Sequence, residues 1–131
     1  MIELMTTVVI IGILAAVALP NYQRAIEESY WRQSQDTVIN IYNGERAYFF
    51  VQTPTTYFGP IAAGATQATW RTIYVDNPNT GVVPVTFAVT AADDTTFTAK
   101  ATRDNGSCAG KEITIDQDRV IGGTWLTRGR C

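Results

Sequence analysis

Residues 4–19 read LMTTVVIIGILAAVAL and carry no charge; counting Met1 and Ile2, the apolar stretch is interrupted only by Glu3. As a helix rising about 1.5 Å per residue, residues 1–19 span roughly 28 Å, close to the hydrocarbon thickness of about 30 Å. From residue 21 to about 52 the pattern changes, and polar and apolar residues interleave at helical spacing. Trp31, Val38, Tyr42 and Phe49 form one stripe, and Tyr22, Ile26 and Tyr30 form an earlier line. The two stretches together predict one helix of about fifty residues, roughly 75 Å long, which no small domain can bury alone.

Past Thr53 and Pro54 the composition shifts to Thr, Ala, Gly and Val, and helical periodicity stops. Residues 53–68, with Pro54, Gly59, Pro60 and Gly64, read as a surface loop. The runs 69–76, 85–91, 95–103 and 111–116 alternate apolar and polar residues, with 120–126 as a partner strand. Phe97, Ala99 and Ala101 point one way, while Thr96, Thr98, Lys100 and Thr102 point the other, as in a half-buried antiparallel sheet. Turn residues punctuate the runs at Asn77-Pro78-Asn79-Thr80-Gly81, Asp93-Asp94, Asn105-Gly106 and Asp116-Gln117-Asp118. The expected class is α+β: a long kinked N-terminal helix on a four- to five-stranded antiparallel sheet. Its parts are a hydrophobic helix half (1–20), an amphipathic half (21–52), and a loop plus sheet (53–131).

Composition narrows the chemistry. The 131 residues suit one domain, and charged residues are 17% against about 25% in ordinary soluble domains, so the apolar surplus is concentrated at the front. A net charge of −2 argues against a protein that coats nucleic acid. With no histidine and two cysteines, zinc fingers, Ser-His-Asp triads and Cys-His dyads are excluded by count. No enzyme, cofactor or metal is expected. Asp116 and Asp118 lack the Gly and terminal Glu of a calcium loop and read as a turn. Asn105-Gly106-Ser107 matches a glycosylation sequon but is already explained as an Asn-Gly turn. The helix aromatics read as core against the sheet, not as a path for electrons. Arg24, Glu27, Glu28 and Arg32 read as a solvated face, with inter-subunit salt bridges as the alternative.

Glu3 is the anomaly of the front segment. A lone carboxylate in an apolar span costs about 2.5–3.5 kcal/mol on insertion scales, so it needs a partner or a proton. The first arginine, Arg24, lies beyond the span, which leaves an α-amino group, its own or a neighbouring copy's. A cleaved signal peptide is disfavoured because no basic region precedes the run. Gly12 and Pro20 weaken the helix, Pro20 by removing a backbone hydrogen bond, and predict a kink or a locally melted stretch between them.

Residues 1–22, with Glu3, Gly12 and Pro20 at their spacing, resemble the amino-terminal signature of type IV pilins and the related pseudopilins. The resemblance implies a chain cut by a prepilin peptidase, N-methylated at its first residue, held in the inner membrane, and then polymerised by an assembly machinery into an extracellular pilus. It also implies that two residues, and before them the cleavage-site glycine, normally precede the position of Met1, so the chain is expected to lack its true start. The implied role of Glu3 is docking and register, by pairing with a neighbour's amino terminus, with Gly12 and Pro20 permitting local unwinding. The principal partner is then another copy of the chain. Pseudopilins of type II secretion systems and membrane-anchored adhesins or DNA-uptake minor pilins are the rival readings.

Two cysteines in an extracytoplasmic chain most simply form one disulfide, here Cys108 to Cys131, with free buried thiols as the alternative. Residues 97–125 resemble the closing strands of pilins, whose carboxy-terminal region is often a disulfide-bounded loop. Arg119, Arg128 and Arg130 form a local basic cluster with no acid after Asp118. It is a candidate contact for DNA phosphates, an anionic surface or the next subunit. Three cations are too few to choose, and solvated or subunit-facing charge is the simpler reading.

Overall fold

The computed structural model describes residues 1–125. Helix α1, Ile2–Val51, contains 50 residues and passes through both Gly12 and Pro20, so the stretch between them is helical in the single chain. Behind it lie a short helix α2 (Gln67–Arg71), a 3-10 turn (Pro78–Thr80), and strands β1 (Val85–Ala92), β2 (Phe97–Arg103), β3 (Glu112–Asp116) and β4 (Ile121–Gly123). The strands pair in chain order as an antiparallel four-stranded sheet. The chain is therefore α+β, with a long helix against an antiparallel sheet.

Alternation decides which face of the sheet meets the helix. In β2, Phe97, Ala99, Ala101 and Arg103 are buried and the residues between them are half-buried. Ile113 and Ile115 of β3 and Phe87 and Val89 of β1 join the same face. Val38 and Ile41 of α1 pack onto it, together with Trp70, Ile73 and Trp125. The small side chains of Ala99 and Ala101 let the helix lie close, and Tyr42 packs on Phe97 with ring centroids 5.9 Å apart. Trp31 donates its indole N–H to the Trp125 carbonyl at 2.6 Å, tying α1 to the chain beyond β4.

Two expectations change. Residues 69–76 do not form a strand: Thr66 caps α2 by accepting the Thr69 N–H, and the chain then turns through Tyr74 at φ 60°. Val75 N–H reaches the Trp70 carbonyl and Tyr74 N–H the Arg71 carbonyl, the hydrogen bonds of a Schellman-type helix end. Trp70 and Ile73, three apart, bury together on one helical side, a spacing that a short alternating run conceals. Of residues 53–68, α2 takes those from Gln67 on, and those up to 66 are a loop, but not only a surface one. Tyr57 and Ile61 are buried in it, and Ile61 pairs with Val89 as an isolated bridge at the sheet's edge.

The buried stripe of α1 contains Glu27, Ser34, Val38, Ile41, Gly44 and Glu45. At Gly44 the helix and the segment after α2 approach closely. A Cβ there would fall 2.7 Å from Val75 Cγ2 and nearer still to the Ile73 carbonyl oxygen, which is backbone and cannot yield cheaply. Gly44→Ala is expected to lower stability by about 1–3 kcal/mol through overpacking. A urea titration of the full chain in micelles should show an earlier midpoint; an unchanged midpoint would mean that the contact relaxes freely.

Candidate assembly surface

The sheet covers only part of α1. Residues 1–25 are all exposed, and the first buried helix position is Glu27. Every large apolar side chain in residues 2–19 is more than half exposed. An 18-residue window here has a mean hydropathy of 2.4, and none of it is buried. Such a surface has the length and composition of a membrane-spanning helix and is compatible with membrane anchoring.

The polar atoms of this surface are largely silenced. Thr6 Oγ1 donates to the Ile2 carbonyl at 2.7 Å and Thr7 Oγ1 to the Glu3 carbonyl at 2.6 Å, so both hydroxyls are satisfied within the helix. Glu3 forms no ion pair among the described residues. It is thus the one charged side chain in residues 2–19 and the feature that burial of this surface must answer. A Cβ at Gly12 would meet nothing within 4 Å, so the fold of the single chain gives no reason for glycine there. Pro20 lacks the N–H that would reach the Ala16 carbonyl, which leaves a weakened turn inside α1.

The junction between the bare and packed parts of α1 is a buried ion pair. Arg103, at the end of β2, donates from Nε to Glu27 Oε2 at 3.0 Å and from Nη2 to Glu27 Oε1 at 2.9 Å. Its Nη1 donates to the Pro84 carbonyl at 2.7 Å and to Asn105 Oδ1 at 3.1 Å. The guanidinium lies 4.5 Å from the centroid of Tyr30, one turn along α1. Glu27 is therefore neither a solvated charge nor, in the single chain, an inter-subunit one, and this corrects its reading from sequence. Burial explains the difference: a charge shut off from water persists only where its lone pairs and protons are matched, as they are here. Glu28 and Arg32 do form an exposed pair, at 2.6 Å one turn apart.

The remaining sites fall as follows. Cys108 is fully buried and disulfide-bonded; Cys131, Arg128 and Arg130 lie outside the described residues. Arg119 is exposed in the β3–β4 turn at φ 63°, where Asp116 Oδ1 accepts the Asp118 and Val120 N–H groups. Those bonds commit the Asp116 carboxylate to the turn, and no group of three His, Cys, Asp or Glu able to hold a metal occurs among the described residues. In the β1–β2 turn, Asp93 Oδ1 accepts the Thr95 and Thr96 N–H groups. Led by the Thr95 bond, these contacts hold its carboxyl down at about 2. No protein-family model and no solved structure matches the chain.

The clamp that no sequence pattern announced is open to direct measurement. Removing one partner strands the other charge, so Glu27→Ala and Arg103→Ala are each expected to cost about 3–5 kcal/mol. The double substitution should cost clearly less than their sum in a denaturation cycle on the full chain. Additive losses would mean that the two side chains are energetically independent.

Proposed function

We propose that this chain is a structural subunit of a type IV pilus, polymerising head to tail through the first third of α1. The observation that carries the reading is that bare apolar third, projecting from a domain that has already buried its own core. Burying a Leu, Ile or Val side chain contributes about 1.5–3 kcal/mol, so the front segments of several copies gathered together would gain far more than association costs. In the inner membrane lipid covers the same surface, and in an extracellular filament neighbouring copies do. A contact in which one end of a copy meets a different part of the next does not close on itself, and it therefore propagates as an open helix.

Glu3 supplies register. An apolar surface slides, whereas a carboxylate within it is satisfied only where a cation waits, and the amino-terminal amine of an adjacent copy is a cation of the right reach. The weakened turns at Gly12 and Pro20 let this segment unwind locally as it leaves lipid for the filament. The prepilin peptidase and an assembly machinery are the remaining partners, and the activity is assembly, not catalysis.

A pseudopilin of a type II secretion system is the second reading, since it would use the same front segment. Major pseudopilins tend to carry a calcium site and no terminal disulfide; the buried disulfide-bonded Cys108 and the turn-committed Asp116 favour the pilus.

Glu3→Leu tests the assignment. The variant should fractionate with membranes like the parent, because its span is only more apolar, yet yield no filaments in sheared surface material viewed by electron microscopy. Normal filaments from that variant would remove Glu3 from the mechanism. Parent cells lacking filaments that contain this chain would remove the function.

A further inference from the structure

Glu45 belongs to neither the bare surface nor the clamp. It is fully buried on α1 beside Gly44. Its Oε2 accepts the Phe58 N–H at 2.9 Å, while Oε1 has no hydrogen-bond partner. Phe58 lies in residues 52–61, the segment that carries the chain from the helix end to the sheet edge. Besides Glu45, the buried side chains of Tyr57 and Ile61 hold it to the core, Tyr57 packing on Phe97 with centroids 4.8 Å apart. Tyr57 N–H bonds the Asp93 carbonyl at 3.0 Å, and Ile61 and Val89 exchange bonds of 2.9 Å. Tyr57 stacks on Phe49 with centroids 4.6 Å apart, and Tyr48 meets Phe58 edge-on at 5.4 Å.

A carboxylate in this setting faces two opposed influences. Burial penalises the charged form, and the Phe58 N–H favours it. Burial is the larger, and the carboxyl is pushed up from 4.5 to about 7. No cation offsets it: Glu45 takes part in no ion pair among the described residues. The guanidinium of its neighbour Arg46 lies over the Phe50 ring at 5.0 Å. The other ionisable groups of the joint are Tyr42 and Tyr48 of α1, Tyr57 of the segment, and Asp93 beyond β1, already committed to Thr95 and Thr96. From β1 and β2 the hydrophobic core includes Val89 and Phe97.

We propose that Glu45 is a pH-sensitive latch on residues 52–61: protonated, it holds the segment against the end of α1, and on losing its proton to solvent it drives the segment open to admit water. In the closed form the proton sits on Oε1, leaving Oε2 to accept from Phe58. A group whose folded value is raised stabilises fully below its unfolded value, near 4.5, and loses that stabilisation as pH climbs through about 7. The latch thus holds in acid and loosens toward alkali. It does not depend on the chain polymerising.

Hydrogen exchange of the full chain in micelles tests this, followed from about pH 5 to about pH 9 and corrected for intrinsic rates. Protection of residues 52–61 should fall by up to about tenfold per pH unit between about pH 5 and about 7 and level off above, while β2 keeps its protection. Glu45→Gln, which keeps the shape and an acceptor for Phe58 but cannot ionise, should flatten the profile. A flat parent profile, an equal loss in β2, or an unchanged slope in Glu45→Gln would each overturn the latch. Should the variant fail to fold, infrared titration of the parent decides: a protonated-carboxyl band lost near pH 7 supports the latch, and its absence overturns it.

Discussion

The bidentate pair between Glu27 and Arg103 marks the point at which α1 stops belonging to its own sheet. On one side of it the helix has a partner surface; on the other it has none among the described residues. The pair sits at the end of β2, where the sheet runs out of residues to cover a helix that continues for more than six further turns. A surface ion pair would give little direction to such a projection, because exposed pairs contribute about 1 kcal/mol or less. A buried one, braced by the Pro84 carbonyl, Asn105 and the Tyr30 ring, gives the exit of the helix a defined geometry. Gly106 closes the arrangement: it turns at φ 85°, and a Cβ there would lie 2.6 Å from Glu27 Oε1.

The packed half of α1 is less greasy than its position suggests. Two glutamates, a serine and a glycine share its buried stripe with Val38 and Ile41. Each polar member has a distinct resolution. Ser34 donates back to the Tyr30 carbonyl, Glu27 meets a guanidinium, and Glu45 meets a single N–H. Only the last is left half-satisfied, and burial pushes its carboxyl up to about 7. The energetic difference between Glu27 and Glu45 is therefore one of partners, since both are shut off from water.

How much of this was legible in the sequence follows from what each residue type can reveal. The front segment was, because a run without charge has few other uses. Strands β1 to β3 were, because Phe97-Thr98-Ala99-Lys100-Ala101 alternates with the period of a pleat. The run 69–76 was not, because over so few residues Trp70 and Ile73 satisfy a helical spacing as well as a strand's. Glu27, Gly44 and Glu45 were hidden by their chemistry: patterns built on apolar residues skip them. Yet Glu27, Ser34, Val38, Ile41 and Glu45 follow one another at steps of seven, four, three and four, so the helical face was in the sequence for a reading that ignored polarity. The partner of Glu27, 76 positions away, had no local signal at all.

The two ends of α1 solve opposite problems with the same side chain. Glu3 is a carboxylate on a surface that lacks a partner until something else arrives, whereas Glu27 has its partner supplied by the fold. An acid matched within the chain contributes to one conformation of one molecule. An acid left unmatched on an otherwise silent apolar surface penalises every burial except the one that brings a cation, and so discriminates among the ways copies can pack. In the proposed filament the bare helix would supply the drive to associate without specifying register, and Glu3 would specify register without supplying much drive. The division lies along one helix because the sheet ends at Arg103, where Glu27 closes the packed part of α1 and leaves residues 1–25 exposed.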